Sequence, residues 1–191
     1  MSDSVWREYF NNTKDKPVRP LLLKAIPYVK HREVAIDLGS GALNDSKFLL
    51  GEGFKRVIAL DKEFVAEEIA ASLPQDRFEY MISPLETFDF PTTFDLVNAQ
   101  YSLPFINQEH FESVFFKIIS ALKDNGIFVG QFFGDRDDWT LNNEMTFHSK
   151  EQVADLLSGH EIIFFEEKEN DRPTAAGNMK HWHVFDFIIR K

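Results

Sequence analysis

The sequence predicts a single α/β domain over residues 1–191, a three-layer sandwich whose sheet is mostly parallel with an antiparallel C-terminal strand. Short apolar runs bounded by Gly, Pro or polar residues alternate with helical patterns along the whole chain, the arrangement of a parallel sheet covered on both faces. No repeat, low-complexity tract or linker breaks the alternation. The last two apolar runs are joined by a polar stretch without a helix, which points to antiparallel neighbours.

The elements follow in order. Residues 1–30 form an N-terminal lid and a leading helix at 21–29. Strands are expected at 34–37, 56–60, 78–82, 95–99 and 127–132, with helices at 45–50 and 64–73 between the first three. Asn107 is a good N-cap for a helix that carries Phe111, Val114, Phe115, Ile118, Ile119 and Leu122 at spacings of three and four, so that face is buried. Ser149 followed by Gln152 is a capping box opening a helix through Leu157. Strands at 161–165 and 184–189 close the sheet, linked by a long polar loop containing Asn170, Asp171, Pro173 and Gly177.

Composition removes several function classes. The chain has no cysteine, which excludes disulfides, zinc-thiolate sites, iron-sulfur clusters and a cysteine nucleophile. A net charge of −10 disfavours nucleic acid as a partner, because that affinity rests on Lys and Arg neutralising phosphates. No apolar run approaches the roughly 20 residues of a membrane span, and residues 1–10 lack a secretory signal. The expectation is a cytoplasmic protein, monomeric or homodimeric, with no membrane or nucleic-acid partner.

The chemistry is concentrated in Val34-Ala35-Ile36-Asp37-Leu38-Gly39-Ser40-Gly41, an apolar strand running into a glycine turn and then a helix near Asn44. Gly39 and Gly41 permit positive φ and close approach to a ligand, while the helix start offers unpaired amide donors. Twenty residues after Gly41, the strand Val57-Ile58-Ala59-Leu60 ends in Asp61, where a carboxylate can accept from both hydroxyls of a ribose. A dinucleotide is one candidate ligand. Against it, Asp37 would repel a pyrophosphate at that helix start, and Asn44 replaces the last glycine of the dinucleotide fingerprint.

On these residues the chain resembles the class I S-adenosylmethionine-dependent methyltransferases, whose first motif reads apolar strand, Asp, apolar, Gly, small, Gly. The resemblance implies a Rossmann-like fold, S-adenosyl-L-methionine as cofactor and direct methyl transfer to a small-molecule acceptor. It extends through Phe94-Asp95-Leu96-Val97 and Ile127-Phe128-Val129-Gly130, similar to the family's fourth and fifth strands. It implies that Asp37 holds the amino-acid end of the cofactor and Asp61 the ribose. Gly39, Ser40, Gly41, Asn44, Lys62, Ala99 and Gln100 complete the contact set. Two positions depart from the pattern: Leu43 stands where a third glycine is common, and Ser83 where an acidic residue is. Ser83, with Pro84 and Leu85, then takes the adenine. Leu43-Asn44-Asp45-Ser46 and the stretch from Gly177 to Phe185, with Lys180-His181-Trp182-His183, resemble the small bacterial tellurite-resistance-like group.

Asn98-Ala99-Gln100-Tyr101 closes the fourth strand without the prolines of the nucleic-acid amino-methyltransferases, which excludes that subclass. Gln100 and Tyr101 either line the methyl site or are structural. Trp6, Tyr9 and Phe10 form an aromatic cluster that either folds over the pocket, meeting a sulfonium cation, or packs as core. Arg19 is either a partner for the cofactor carboxylate or a surface residue. Asp135, Asp137, Asp138 and Trp139 follow the fifth strand and either form a solvated acidic turn or receive a cationic or amine acceptor, with Trp139 a candidate acceptor contact. His181 and His183 share a strand face, but no third ligand is evident and no metal is expected. His181, Tyr101 and His148 are the candidate bases if the acceptor needs one. The competing functions are a nicotinamide-dependent (NAD(P)) oxidoreductase and a catalytically silent cofactor-binding module.

Overall fold

The computed structural model describes residues 10–191; Trp6 and Tyr9 lie outside them. One eight-stranded sheet is formed by β1 (Val34–Leu38), β2 (Arg56–Asp61), β3 (Phe78–Ile82), β4 (Phe94–Ala99), β5 (Leu122–Gly134), β6 (Phe147–His148), β7 (Glu161–Pro173) and β8 (Met179–Arg190). Its order is β3-β2-β1-β4-β5-β8-β7, with the short β6 beside β5. The first five strands pair in parallel, whereas β8 is antiparallel to both β5 and β7. The strand order reverses direction between β1 and β4, and their carboxyl ends open the crevice where such sheets bind ligands.

Alternation along the strands sends neighbouring residues to opposite faces. Ile36, Leu38, Ile58, Leu60, Val97 and Phe128 pack under α4 (Gln108–Ala121) and α5 (Lys150–Leu157). Ala35, Val57, Ala59, Leu96, Ile127 and Val129 pack under α1 (Pro20–Ala25), α2 (Asn44–Gly51) and α3 (Glu67–Ala71). The three layers are those expected. The caps are also as expected: the Asn107 side chain accepts the Glu109 N–H at 3.0 Å, and Ser149 and Gln152 cap each other reciprocally.

Four boundaries differ. The strand expected at 127–132 runs from Leu122 to Gly134 and takes Leu122 from the end of the preceding helix. The leading helix stops at Ala25 and tightens into a 3₁₀ turn at Ile26–Tyr28, because Pro27 has no N–H to donate back along an α-helix. The helix expected at 64–73 covers only Glu67–Ala71; Phe64 is exposed and anchors no turn. The long polar loop is mostly strand, since β7 and β8 continue to Pro173 and Met179 and leave only 174–178 as the turn. Its polar residues pair across the hairpin, Asp171 opposite His181 and Glu169 opposite His183, so charge rather than apolar alternation carries that part of the ladder.

Candidate functional site

A cavity of about 680 Å³ opens at the carboxyl ends of β1, β2 and β4. The turn after β1 forms one wall. Gly39 and Gly41 have φ of 70° and 48°, and the N–H groups of Gly39 and Ser40 donate to the Leu60 carbonyl at 2.8 and 3.0 Å. Gly39 is required for a second reason, because a Cβ there would overlap the Ser102 side chain. Leu43 takes the left-handed conformation at φ 61°, where a glycine would ordinarily stand. Its fully buried side chain packs in the core, so tertiary packing holds the strained backbone.

Asp61 joins this turn to β2. Its Oδ2 accepts the Gly41 N–H at 2.7 Å and its Oδ1 the Glu63 N–H at 3.0 Å. Burial pushes its carboxyl above the ordinary value, against these backbone donors. Asp61 lines the cavity together with Lys62, Ser83 and Leu85. Two hydroxyls beside the turn, those of Ser40 and Ser102, are buried and have no hydrogen-bond partner among the described residues. Both oxygens are inaccessible, so they are exceptions to the rule that buried polar atoms are satisfied and lie behind the cavity surface.

Asp37 lies behind this wall rather than on it. It is buried, and its two oxygens accept from Ser46 Oγ at 2.6 Å and Asn98 Nδ2 at 2.7 Å. The same Asn98 amide donates to Asp45 Oδ2 at 3.1 Å and accepts from Gln100 Nε2 at 2.8 Å. The carboxylate that reaches the cavity is Asp45, which receives the Arg19 N–H and guanidinium, each at 3.0 Å. Arg19 is therefore a cavity residue and not a free surface group. Burial, with the Asp45 charge adding to it, pushes the Asp37 carboxyl from 3.8 to about 6.

The other expected residues divide. Gly39, Ser40, Gly41, Asn44, Asp61, Lys62, Ser83, Leu85, Phe10, Tyr101 and Trp139 line the cavity. Pro84, Ala99 and Gln100 do not, the last two being buried in the strand end. His181 faces away from the cavity and binds Asp171 and Glu169. His148 is buried against Phe111 and Phe132, and that burial lowers it to about 4. Neither histidine reaches the cavity as a base. Asp137 is no solvated acid: it is buried and paired with Lys180 at 2.5 Å.

Sequence reasoning missed the far end of the cavity. Lys180 and Trp182 share the face of β8 opposite to His181 and His183, and period-two alternation over 180–183 was the signal that pointed there. Lys180 Nζ lies 3.7 Å from the Trp182 ring centroid and 4.3 Å from that of Trp139. Tyr101, at φ 56°, meets Trp182 and Phe133 edge-on, and its hydroxyl accepts from Arg172 at 2.9 Å.

Solved structures match this arrangement over nearly the whole chain. TehB from Haemophilus influenzae superposes at a TM-score of 0.77 with 15% identity over 91% of this chain, which spans 62% of the length of TehB. The N-methyltransferase NodS from Bradyrhizobium japonicum WM9, in complex with S-adenosyl-L-homocysteine, gives 0.72 and 12% over 98% and 97% of the two chains. The fold is that of the class I S-adenosylmethionine-dependent methyltransferases. Within it, the 1,6-didemethyltoxoflavin-N1-methyltransferase from Burkholderia thailandensis, with bound 1,6-didemethyltoxoflavin and S-adenosylhomocysteine, gives 0.67 and 16% over 99% and 86%. No protein-family model and no curated protein sequence matches the chain. Among the described residues, no helix is long and apolar enough to cross a membrane.

Proposed function

We propose that the chain is an S-adenosylmethionine-dependent methyltransferase acting on a small-molecule acceptor. The observation that carries this reading is the pairing of the glycine turn with Asp61 across one cavity wall. Asp61, a carboxylate on the cavity wall at the end of β2, suits ribose hydroxyls. Ser83 and Leu85 offer a polar atom and an apolar surface for the adenine. Arg19, held by Asp45 and more exposed than it, offers a cation to the carboxylate end of an amino acid, and Asn98 fixes Asp45 from behind.

When bound, the cofactor supplies a methyl group on a sulfonium, an already activated leaving group. The protein's task is then to hold the acceptor in line and exclude water, which needs no catalytic dyad. The tie between the turn after β1 and the end of β2 keeps this wall rigid, while Tyr101, Phe105, Phe133, Trp139 and Trp182 make the acceptor end apolar. An oxidoreductase reading is less well supported. Asn44 opens α2 where the dinucleotide fingerprint has its last glycine.

The test is incubation of the purified protein with S-adenosylmethionine and a panel of small nucleophiles, reading S-adenosylhomocysteine by mass spectrometry. Release that depends on one acceptor class supports the proposal. Tight cofactor binding with no release from any acceptor favours a silent binding module.

A further inference from the structure

The far end of the cavity contains an asymmetric ion pair. Lys180 lines the cavity, but its partner Asp137 does not. Asp137 is saturated: Lys180 reaches both of its oxygens, the Trp139 N–H donates to Oδ1 at 3.0 Å and the His183 N–H to Oδ2 at 3.2 Å. The pair therefore turns its lysine toward the cavity wall, with the side chain 3% exposed, and keeps the carboxylate fully buried.

That ammonium sits over the faces of Trp182, Trp139 and Phe133 at 3.7, 4.3 and 5.1 Å from the ring centroids. Such an aromatic box would ordinarily attract a cationic ligand. Here the cation position is filled by the protein itself. A second cation, the guanidinium of Arg172, lies 5.0 Å from the Trp182 centroid and also lines the cavity. Among the described residues, the acid at this end that lines the cavity is Asp138, which is exposed and accepts the His181 N–H at 2.7 Å.

We infer that the acceptor is a planar molecule carrying an anionic group, its ring packed against Trp139, Trp182 and Tyr101 and its charge received by Lys180 and Arg172. This deepens the methyltransfer reading and rests on it. A flat ring matches the apolar, ring-lined wall; the exposed Arg172 guanidinium brings the charge, with a planar fork suited to a carboxylate, and Lys180 keeps one N–H beyond the two that Asp137 takes. A quaternary ammonium or protonated amine acceptor is disfavoured by the same two cations.

Benzoate, benzamide and benzamidinium are nearly isosteric planar probes of charge −1, 0 and +1. Each is titrated by tryptophan fluorescence into the full chain, alone and saturated with S-adenosylhomocysteine, whose own binding is measured first by calorimetry. The expected result is saturable benzoate binding at least about tenfold tighter than that of either other probe, the scale of one charge-assisted hydrogen bond. Arg172→Gln, at an exposed position, and the double variant Lys180→Met/Asp137→Asn should each shrink that preference while leaving S-adenosylhomocysteine binding in place. Equal or tighter binding of benzamide or benzamidinium, or no saturable benzoate binding, overturns the acceptor class. Absence of S-adenosylhomocysteine binding overturns the methyltransfer reading instead, and the probe series on the protein alone still reads the charge preference.

Discussion

The Gly41 N–H donates to Asp61 Oδ2 at 2.7 Å, so the residue that closes the second strand also fixes the turn that follows the first. One carboxylate thus links two of the segments that wall the cavity, and its removal affects both the ligand contact and the shape of the turn.

Asp61→Ala should therefore weaken S-adenosylhomocysteine binding by at least the order of 1.5 to 3 kcal/mol expected for hydrogen bonds to a charged acceptor. Asp61→Asn keeps one acceptor oxygen and should lose less. Calorimetric titration of the three proteins checks this; an unchanged affinity in Asp61→Ala removes Asp61 from the site.

Gly39→Ala places a methyl group into Ser102 and forces a left-handed alanine. It should lower stability by more than the roughly 1 to 2 kcal/mol of the backbone term alone and abolish ligand binding. Adding Ser102→Gly relieves the collision and should recover the steric part only. Urea denaturation of the single and double variants separates the two terms.

Asp37 gives a pH dependence with a defined sign. Its folded-state value, about 6, lies above the ordinary 3.8, so the folded protein holds that proton more tightly than the unfolded chain. The resulting stabilisation is fully present below pH 3.8 and is lost as the pH rises through about 6. Asp37→Asn, which never ionises, should gain in Tm relative to the wild type across that window and hold the gain above it. A constant difference across the window would contradict the assignment.

Lys180→Met leaves Asp137 buried and uncompensated, at a cost of about 3 to 5 kcal/mol. The double variant Lys180→Met/Asp137→Asn should recover much of it, because a neutral amide still accepts the Trp139 N–H. Denaturation midpoints read the difference.

Much of this architecture was legible in the chain. Strand periodicity placed β1 to β4 within a residue or two, and the caps at Asn107 and Ser149 lie where expected, because those signals are local. Less legible were features set by tertiary contact. Leu43 takes a glycine's backbone conformation because its side chain is locked in the core. Asp37 withdraws behind Asp45 because Asn98, sixty-one positions later, bridges them. The β7–β8 hairpin hides its ladder in charged cross-strand pairs that apolar alternation does not register, and with it the Lys180 and Trp182 face of the cavity.

The most direct test of the account is calorimetric titration of the purified chain with S-adenosylmethionine, with NADH as the comparison ligand. Saturable micromolar binding of S-adenosylmethionine without binding of NADH is the predicted result. Binding of NADH alone, or of neither, would contradict it.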